Sequence, residues 1–271
     1  DGNGKAVDTV TTDETGKGVS KLLPVGSYTV QETTAPPGFV ASTDRIPITL
    51  SPNGTAPVVS GSVTVPNTPQ TGRITIVKRD AQTGAEPQGG LSLYGAQFEI
   101  LDAAGQVVET LTAQTDTVTS RELPLGDYIV REIKPPKGYA INPTEFPVAL
   151  SYGGQDAAIV EQTVTVEDQV VRGRIAITKF GRNGSGSDIQ QALAGVEFEI
   201  RDQETGELAA TLTTDEFGYA ISDTIYYGVY TVTETKGAEG FAPVEPFDVV
   251  IDTDGKTYSY ILEDKAHQSE I

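Results

Sequence analysis

Along most of the chain, apolar and polar residues alternate over runs of four to eight positions. In Arg73-Ile74-Thr75-Ile76-Val77-Lys78, Ile74, Ile76 and Lys78 fall on one face and Thr75 and Val77 on the other. β-Branched residues fill these runs, and Gly, Pro, Asn and Asp separate them, so the pattern predicts short strands. Leu50-Ser51-Pro52-Asn53-Gly54 and Asp252-Thr253-Asp254-Gly255 have the composition of hairpin turns. No window of useful length carries a helical period. Many short strands with turn signals between them predict an all-β fold of face-to-face antiparallel sheets, an Ig-like sandwich.

The same runs recur. Tyr28-Thr29-Val30-Gln31-Glu32 returns as Tyr128-Ile129-Val130-Arg131-Glu132 and as Tyr230-Thr231-Val232-Thr233-Glu234. Each is followed by a Gly-aromatic pair: Gly38-Phe39, Gly138-Tyr139 and Gly240-Phe241. Arg73–Lys78 matches Arg174–Lys179, and Gly95–Ile100 matches Gly195–Ile200. A repeat of this length implies tandem modules, here expected at 1–70, 71–170 and 171–271. The first copy aligns Asp1 with Asp102 and so has no counterpart of residues 73–101. Asn67–Gly72 and Gln169–Gly173 read as short linkers that allow limited play.

Composition removes several function classes. The 271 residues hold 19 Lys and Arg against 38 Asp and Glu, a net charge of −19. A surface so acidic repels polyphosphates, so no nucleic-acid partner is expected. No apolar run is long enough to span a bilayer, which argues against membrane insertion of this segment. The chain has neither Met nor Cys, and it reads as a mature product or a piece of a longer precursor. Without Cys there are no disulfides, so any covalent reinforcement must join other side chains.

Period-two alternation turns several ionisable groups inward. Lys78 shares a face with Ile74 and Ile76, Glu132 with Tyr128 and Val130, and Asp168 with Val164 and Val166. The third copy repeats this with Lys179, Glu234 and Asp264, and the first keeps Glu32 and Asn67. An isolated buried charge costs several kcal/mol, so such groups shift their pKa, pair or react. Burial favours a neutral amine and protonated carboxyls, which are the reactants of an amide. Attack by the Lys Nζ on Asp expels water and attack on Asn expels ammonia, while the neighbouring Glu polarises the carbonyl and moves protons. Contact within the fold supplies the effective concentration. An unreacted buried ion pair is the alternative reading of the same triads.

The first-strand Lys, the Gly-Ala-Gln-Phe-Glu-Ile strand, the Tyr-x-Val-x-Glu strand with its Ala35-Pro36-Pro37-Gly38-Phe39 tail, and Val65-Pro66-Asn67 together resemble the collagen-adhesin B-type domain. This family, also called SpaA-like or prealbumin-like, builds stalks and sortase-assembled pili on Gram-positive surfaces. The resemblance implies a spontaneous isopeptide bond between opening and closing strands, assisted by the Glu. By position this gives Lys78, Glu132 and Asp168, then Lys179, Glu234 and Asp264, with Glu32 and Asn67 left as an unpaired candidate. The chain departs from the pattern in carrying Asp where Asn is common, and in replacing the Pro-Pro-Gly tail of the third copy with Lys236-Gly237-Ala238-Glu239-Gly240.

Other signals are weaker. Asp252–Gly255 and Asp1–Gly4 lack the bidentate Glu of a calcium loop, so no metal and no cofactor is expected. Thr68–Gly72 lacks the leading residues of a sorting signal. His267, the single histidine, sits in a polar tail expected to be disordered, which leaves no Ser-His-Asp set. Paired acids suit a glycosidase, but here they recur beside a lysine rather than along a cleft. The expected role is therefore a structural spacer of an extracellular, wall-anchored adhesin, with no catalysis beyond its own single-turnover cross-linking. A pilus shaft or accessory subunit and a host-matrix-binding domain are the alternatives. Expected partners are adjacent domains of the longer protein, matrix or pilin chains, and a donor strand completing the first copy.

Overall fold

A computed structural model describes residues 1–85, 87, 88, 90–182 and 190–267. Every regular element in it is a strand. The first copy contributes β1 (Gly26–Gln31), β2 (Phe39–Val40), β3 (Arg45–Leu50) and β4 (Thr68–Pro69). The second contributes β5 (Thr71–Asp80), β6 (Gln97–Asp102), β7 (Val107–Thr112), β8 (Thr117–Thr119), β9 (Leu123–Pro124), β10 (Gly126–Lys134), β11 (Glu145–Leu150) and β12 (Ile159–Asp168). The third contributes β13 (Arg172–Arg182), β14 (Gln190–Ala192), β15 (Glu197–Asp202), β16 (Leu208–Thr213), β17 (Tyr219–Ile221), β18 (Ile225–Tyr226), β19 (Gly228–Lys236), β20 (Phe241–Ala242), β21 (Phe247–Ile251) and β22 (Thr257–Ala266).

In the second copy one sheet runs β11-β10-β6-β7 and the other β12-β5-β8, with β9 also on β5. The third copy repeats the plan with β16-β15-β19-β21 and β14-β13-β22-β20. Between its sheets lies a core that includes Ile175, Ile177, Phe198, Ile200, Val232 and Ile251, all at or near zero exposure. The antiparallel pattern expected from the sequence holds for most of the described pairs, and the pairing of β13 with β22 departs from it. β13 and β22 run parallel, with Lys179 opposite Leu262 and Gly181 opposite Asp264. The opening and closing strands of the module are thus direct neighbours. The turn at Asp252–Gly255 also differs from a hairpin, because it carries the chain from β21 in one sheet to β22 in the other. Asp254 Oδ1 and the Gly255 N–H bind the backbone of Arg172 there, so the turn anchors the start of β13.

The chain forms two compact units. One comprises 1–74, 120–128 and 148–162, the other 75–119, 129–147 and 163–271. In the smaller unit the first copy supplies two ladders, β1 with β3 and β2 with β4. Thr9–Thr11 aligns with β7 but forms no strand. In the second copy β7 takes its pairing from β6. Val19 and Leu22 are 91% and 81% exposed.

The expected linkers are built into the sheets. β4 lies within the first of them, beside the buried Gln70, and Val170 and Val171 of the second are buried. Of the expected tail, 265–267 are described and 268–270 lie outside the described residues. Lys265 and Ala266 belong to β22, and the His267 N–H donates to Gly240 O at 2.9 Å, leaving its side chain exposed.

Candidate functional site

Each Tyr-x-Val-x-Glu strand is seated the same way. The tyrosine hydroxyl donates to the carbonyl four residues earlier: Tyr28 to Pro24 at 2.7 Å, Tyr128 to Pro124 at 2.8 Å and Tyr230 to Tyr226 at 2.9 Å. Burial pushes the Tyr230 hydroxyl up to about 12, so it remains a donor. At the far end, Gly38, Gly138 and Gly240 all adopt φ near +87°, at 88°, 86° and 86°. This left-handed turn is open to glycine and swings the following aromatic back over the strand end.

Between these two anchors the glutamates point inward. A backbone N–H ten residues further on holds each carboxylate: Ser42 to Glu32 at 2.7 Å, Asn142 to Glu132 at 2.9 Å and Val244 to Glu234 at 3.2 Å. Sequence reasoning missed these donors because backbone groups leave no residue signature. The constant spacing from Glu is the one signal that could have revealed them.

β5 brings Lys78 to Glu132 and Asp168, and all three are buried. Lys78 Nζ is 3.1 Å from Glu132 Oε1 and in direct contact with Asp168 Oδ1, with both acid side chains wholly excluded from water. In the third copy Lys179 Nζ donates to Glu234 Oε2 at 2.7 Å and also to Asp264 Oδ1. The parallel register explains the reach: Lys179 faces Leu262, and its long stem extends to the next inward side chain, Asp264. Phe198 forms the floor, with Lys179 Nζ 5.7 Å from the ring centroid. That aromatic belongs to the recurring Gly-x-x-Phe-Glu-Ile run but was not recognised as part of the site.

One amine and two carboxyls in a dry pocket are electrically neutral only when they share a single extra proton beyond those on a neutral amine and one acid. Burial raises Asp168 from 3.8 to about 7, against the opposing pull of Lys78 and with a further push from Glu132. Asp264 is raised by the same desolvation. Desolvation thus favours the protonated form of the Asp in both sites. Asp168 Oδ2, Glu234 Oε1 and Asp264 Oδ2 have no hydrogen-bond partner among the described residues, and Lys78 Nζ touches Glu132 Oε1 and Asp168 Oδ1 without hydrogen-bond geometry.

The first copy assembles half of this arrangement. Asn67 Nδ2 donates to both oxygens of Glu32, at 2.8 and 2.7 Å. Among the described residues no lysine contacts either. Nor does any group of three or more His, Asp and Glu there have an arrangement that would hold a metal ion.

An all-β module with its opening and closing strands side by side and a Lys–Glu–Asp triad sealed beneath them defines the class to which this chain belongs. The model of the SpaA prealbumin-like fold domain matches it three times, at residues 1–63, 72–166 and 173–266, and the chain is a member of that family. It is 25% identical over 97% of its length to the Serine-aspartate repeat-containing protein F of Staphylococcus epidermidis, spanning 17% of that protein. Among solved structures it resembles the Bacillus anthracis TIE protein, with 27% identity, a TM-score of 0.72, and coverage of 94% of this chain and 45% of that one. The chain therefore spans less than half the length of these relatives.

Proposed function

We propose that this segment is a load-bearing part of a Gram-positive surface adhesin or pilus protein, located outside the cell at the wall. Its second and third copies cross-link themselves through Lys78–Asp168 and Lys179–Asp264. The supporting observation is the pair of fully buried triads, in which amine and acid already touch and a carboxylate held by a backbone N–H stands beside them.

The reaction balances without a cofactor. Neutral Nζ forms a bond to the Asp Cγ, the Glu receives a proton from the amine and passes it to the departing hydroxyl, and water leaves. Glu132 and Glu234 are restored at the end, and each module turns over once.

The geometry gives the bond a mechanical role. Tension enters the third copy at Arg172 and travels along β13 to Lys179. Through the bond it crosses to Asp264 and leaves along the end of β22. Residues 180–263 lie outside that path, so force cannot extend them. Family membership and the surface-protein relative support this role over a soluble enzyme. In the first copy, Asn67 and Glu32 are the acceptor half for a lysine-bearing strand; a denaturing gel showing only single-length monomer after mixing with such a strand argues against it.

Intact mass is the direct test. The prediction is a mass lower than that calculated from sequence by one water for each full copy, with mapped peptides joined at Lys78–Asp168 and Lys179–Asp264. An unreduced mass refutes the cross-link and leaves two buried ion pairs.

A further inference from the structure

The position two residues beyond each site lysine differs between the copies. In the third copy it is Gly181, where an added Cβ would lie 2.4 Å from the Phe241 ring, so Phe241 closes the pocket end by apolar contact. In the second copy it is Asp80, which is wholly buried, and the matching aromatic is Tyr139. The Tyr139 hydroxyl donates to Asp80 Oδ2 at 3.0 Å. Asp80 Oδ1 also accepts the Gln82 and Thr83 N–H groups at 2.8 and 3.2 Å and Gln88 Nε2 at 2.9 Å. A buried carboxylate with so many donors holds its surroundings in one arrangement.

What Asp80 holds faces the third copy. Gln88, oriented by the hydrogen bonds its Nε2 donates to Asp80, accepts from the Tyr226 hydroxyl at 3.1 Å. Gln82 accepts from Arg172, whose guanidinium stacks 4.6 Å from the centroid of the Tyr226 ring. Tyr139 packs with Leu93, Val170 and Leu91, so the stretch joining the copies is part of a small core. Gly138, in its left-handed turn, leaves room for Leu91 and Tyr227: an added Cβ would lie 2.8 Å from one and 3.0 Å from the other. All these residues lie within the larger compact unit.

We propose that Asp80 is the keystone of a rigid joint, through which the second and third copies move as one stiff segment rather than as beads on a linker. Independent motion is the default for adjoining domains with small contacts, and here Tyr226 and Arg172 of the third copy bond to Gln88 and Gln82, both of which are held by the buried Asp80 carboxylate. The joint goes beyond the load-bearing reading and does not depend on the cross-links, since Lys78, Glu132 and Asp168 are untouched by the variants below.

The absence of Cys makes the test simple. Spin labels on Thr110→Cys and Glu207→Cys, both exposed, report the distance between the two copies by pulsed electron resonance in the full chain. Thr110→Cys with Thr165→Cys gives the width within one copy. The unaltered joint is expected to show a single peak as narrow as that control. Asp80→Asn and Tyr226→Phe are each expected to broaden the inter-copy peak while leaving the control unchanged; Tyr226 is at the surface, so its variant does not endanger folding. A broad peak in the unaltered joint overturns the proposal. So does a peak that stays narrow in both variants. Intact mass on the same samples reports the cross-links separately.

Discussion

Lys179 and Glu234 are 55 residues apart in sequence, yet Nζ sits 2.7 Å from Oε2 with both side chains fully shielded from water. An amine held there has only two stable outcomes, ion pair or amide. Replacing Glu234 by Gln keeps the shape and hydrogen bonds but removes the proton carrier. The expected result is a folded chain lighter than its own calculated mass by one water rather than two, with the second copy still joined, read by intact mass spectrometry.

Force separates the bonded and unbonded forms further. Lys179 and Asp264 are 85 residues apart, which corresponds to about 300 Å of extended chain. Single-molecule pulling on Lys179→Ala should therefore show an added contour length near that value, whereas the unaltered third copy extends hardly at all.

Thermodynamic stability should change in the same direction. Closing a loop of 85 to 90 residues constrains the unfolded chain by about 4–5 kcal/mol, by analogy with a disulfide. Asp168→Ala also leaves Lys78 buried without its partner, so denaturant unfolding of the second copy should show at least that loss.

The acid of the second site gives a pH signature once the bond is blocked. In Lys78→Ala, Asp168 loses the lysine that lowers its pKa, while burial and Glu132 still raise it, so its folded pKa stays above the ordinary 3.8. The folded state then holds a proton that the unfolded state has released. Stability is greatest at low pH and declines as pH rises through this window. Denaturant titrations between pH 4 and pH 7 should show that decline, and the cross-linked parent should lack it.

Gly218 tests the backbone around the third site. It has φ +75°, and an added Cβ would lie 2.3 Å from the carbonyl oxygen of Lys179. Its own carbonyl accepts the Lys179 N–H at 2.7 Å. Gly218→Ala should destabilise the third copy by about 1–3 kcal/mol and lower its cross-linked fraction, with the second copy as internal control.

Much of this was legible in one dimension. Alternation in Ile175-Ala176-Ile177-Thr178-Lys179 placed the lysine inward, and the repeat of Tyr-x-Val-x-Glu marked the helper acid, because both are local properties of a pleated strand. Other features were not. The turn at Asp252–Gly255 reads as a hairpin since its residues favour any tight reversal, and whether it joins neighbours or crosses between sheets depends on where the flanking strands pair. His267 reads as tail because no pattern marks the last strand's pairing with β20. Nothing in the local pattern marks Asp80, and only the approach of Tyr139 and Gln88 makes it a buried acceptor.

By itself the order of residues determined the strand content, the repetition, and which side of each strand its lysine or acid occupies, since these follow from side-chain period and turn chemistry over a few positions. Tertiary structure alone decided that the opening and closing strands lie parallel and adjacent, which backbone N–H holds each glutamate, and how the second copy grips the third. Those relationships join residues tens of positions apart, and they arise only when the sheets have excluded water and unpaired polar groups must find partners.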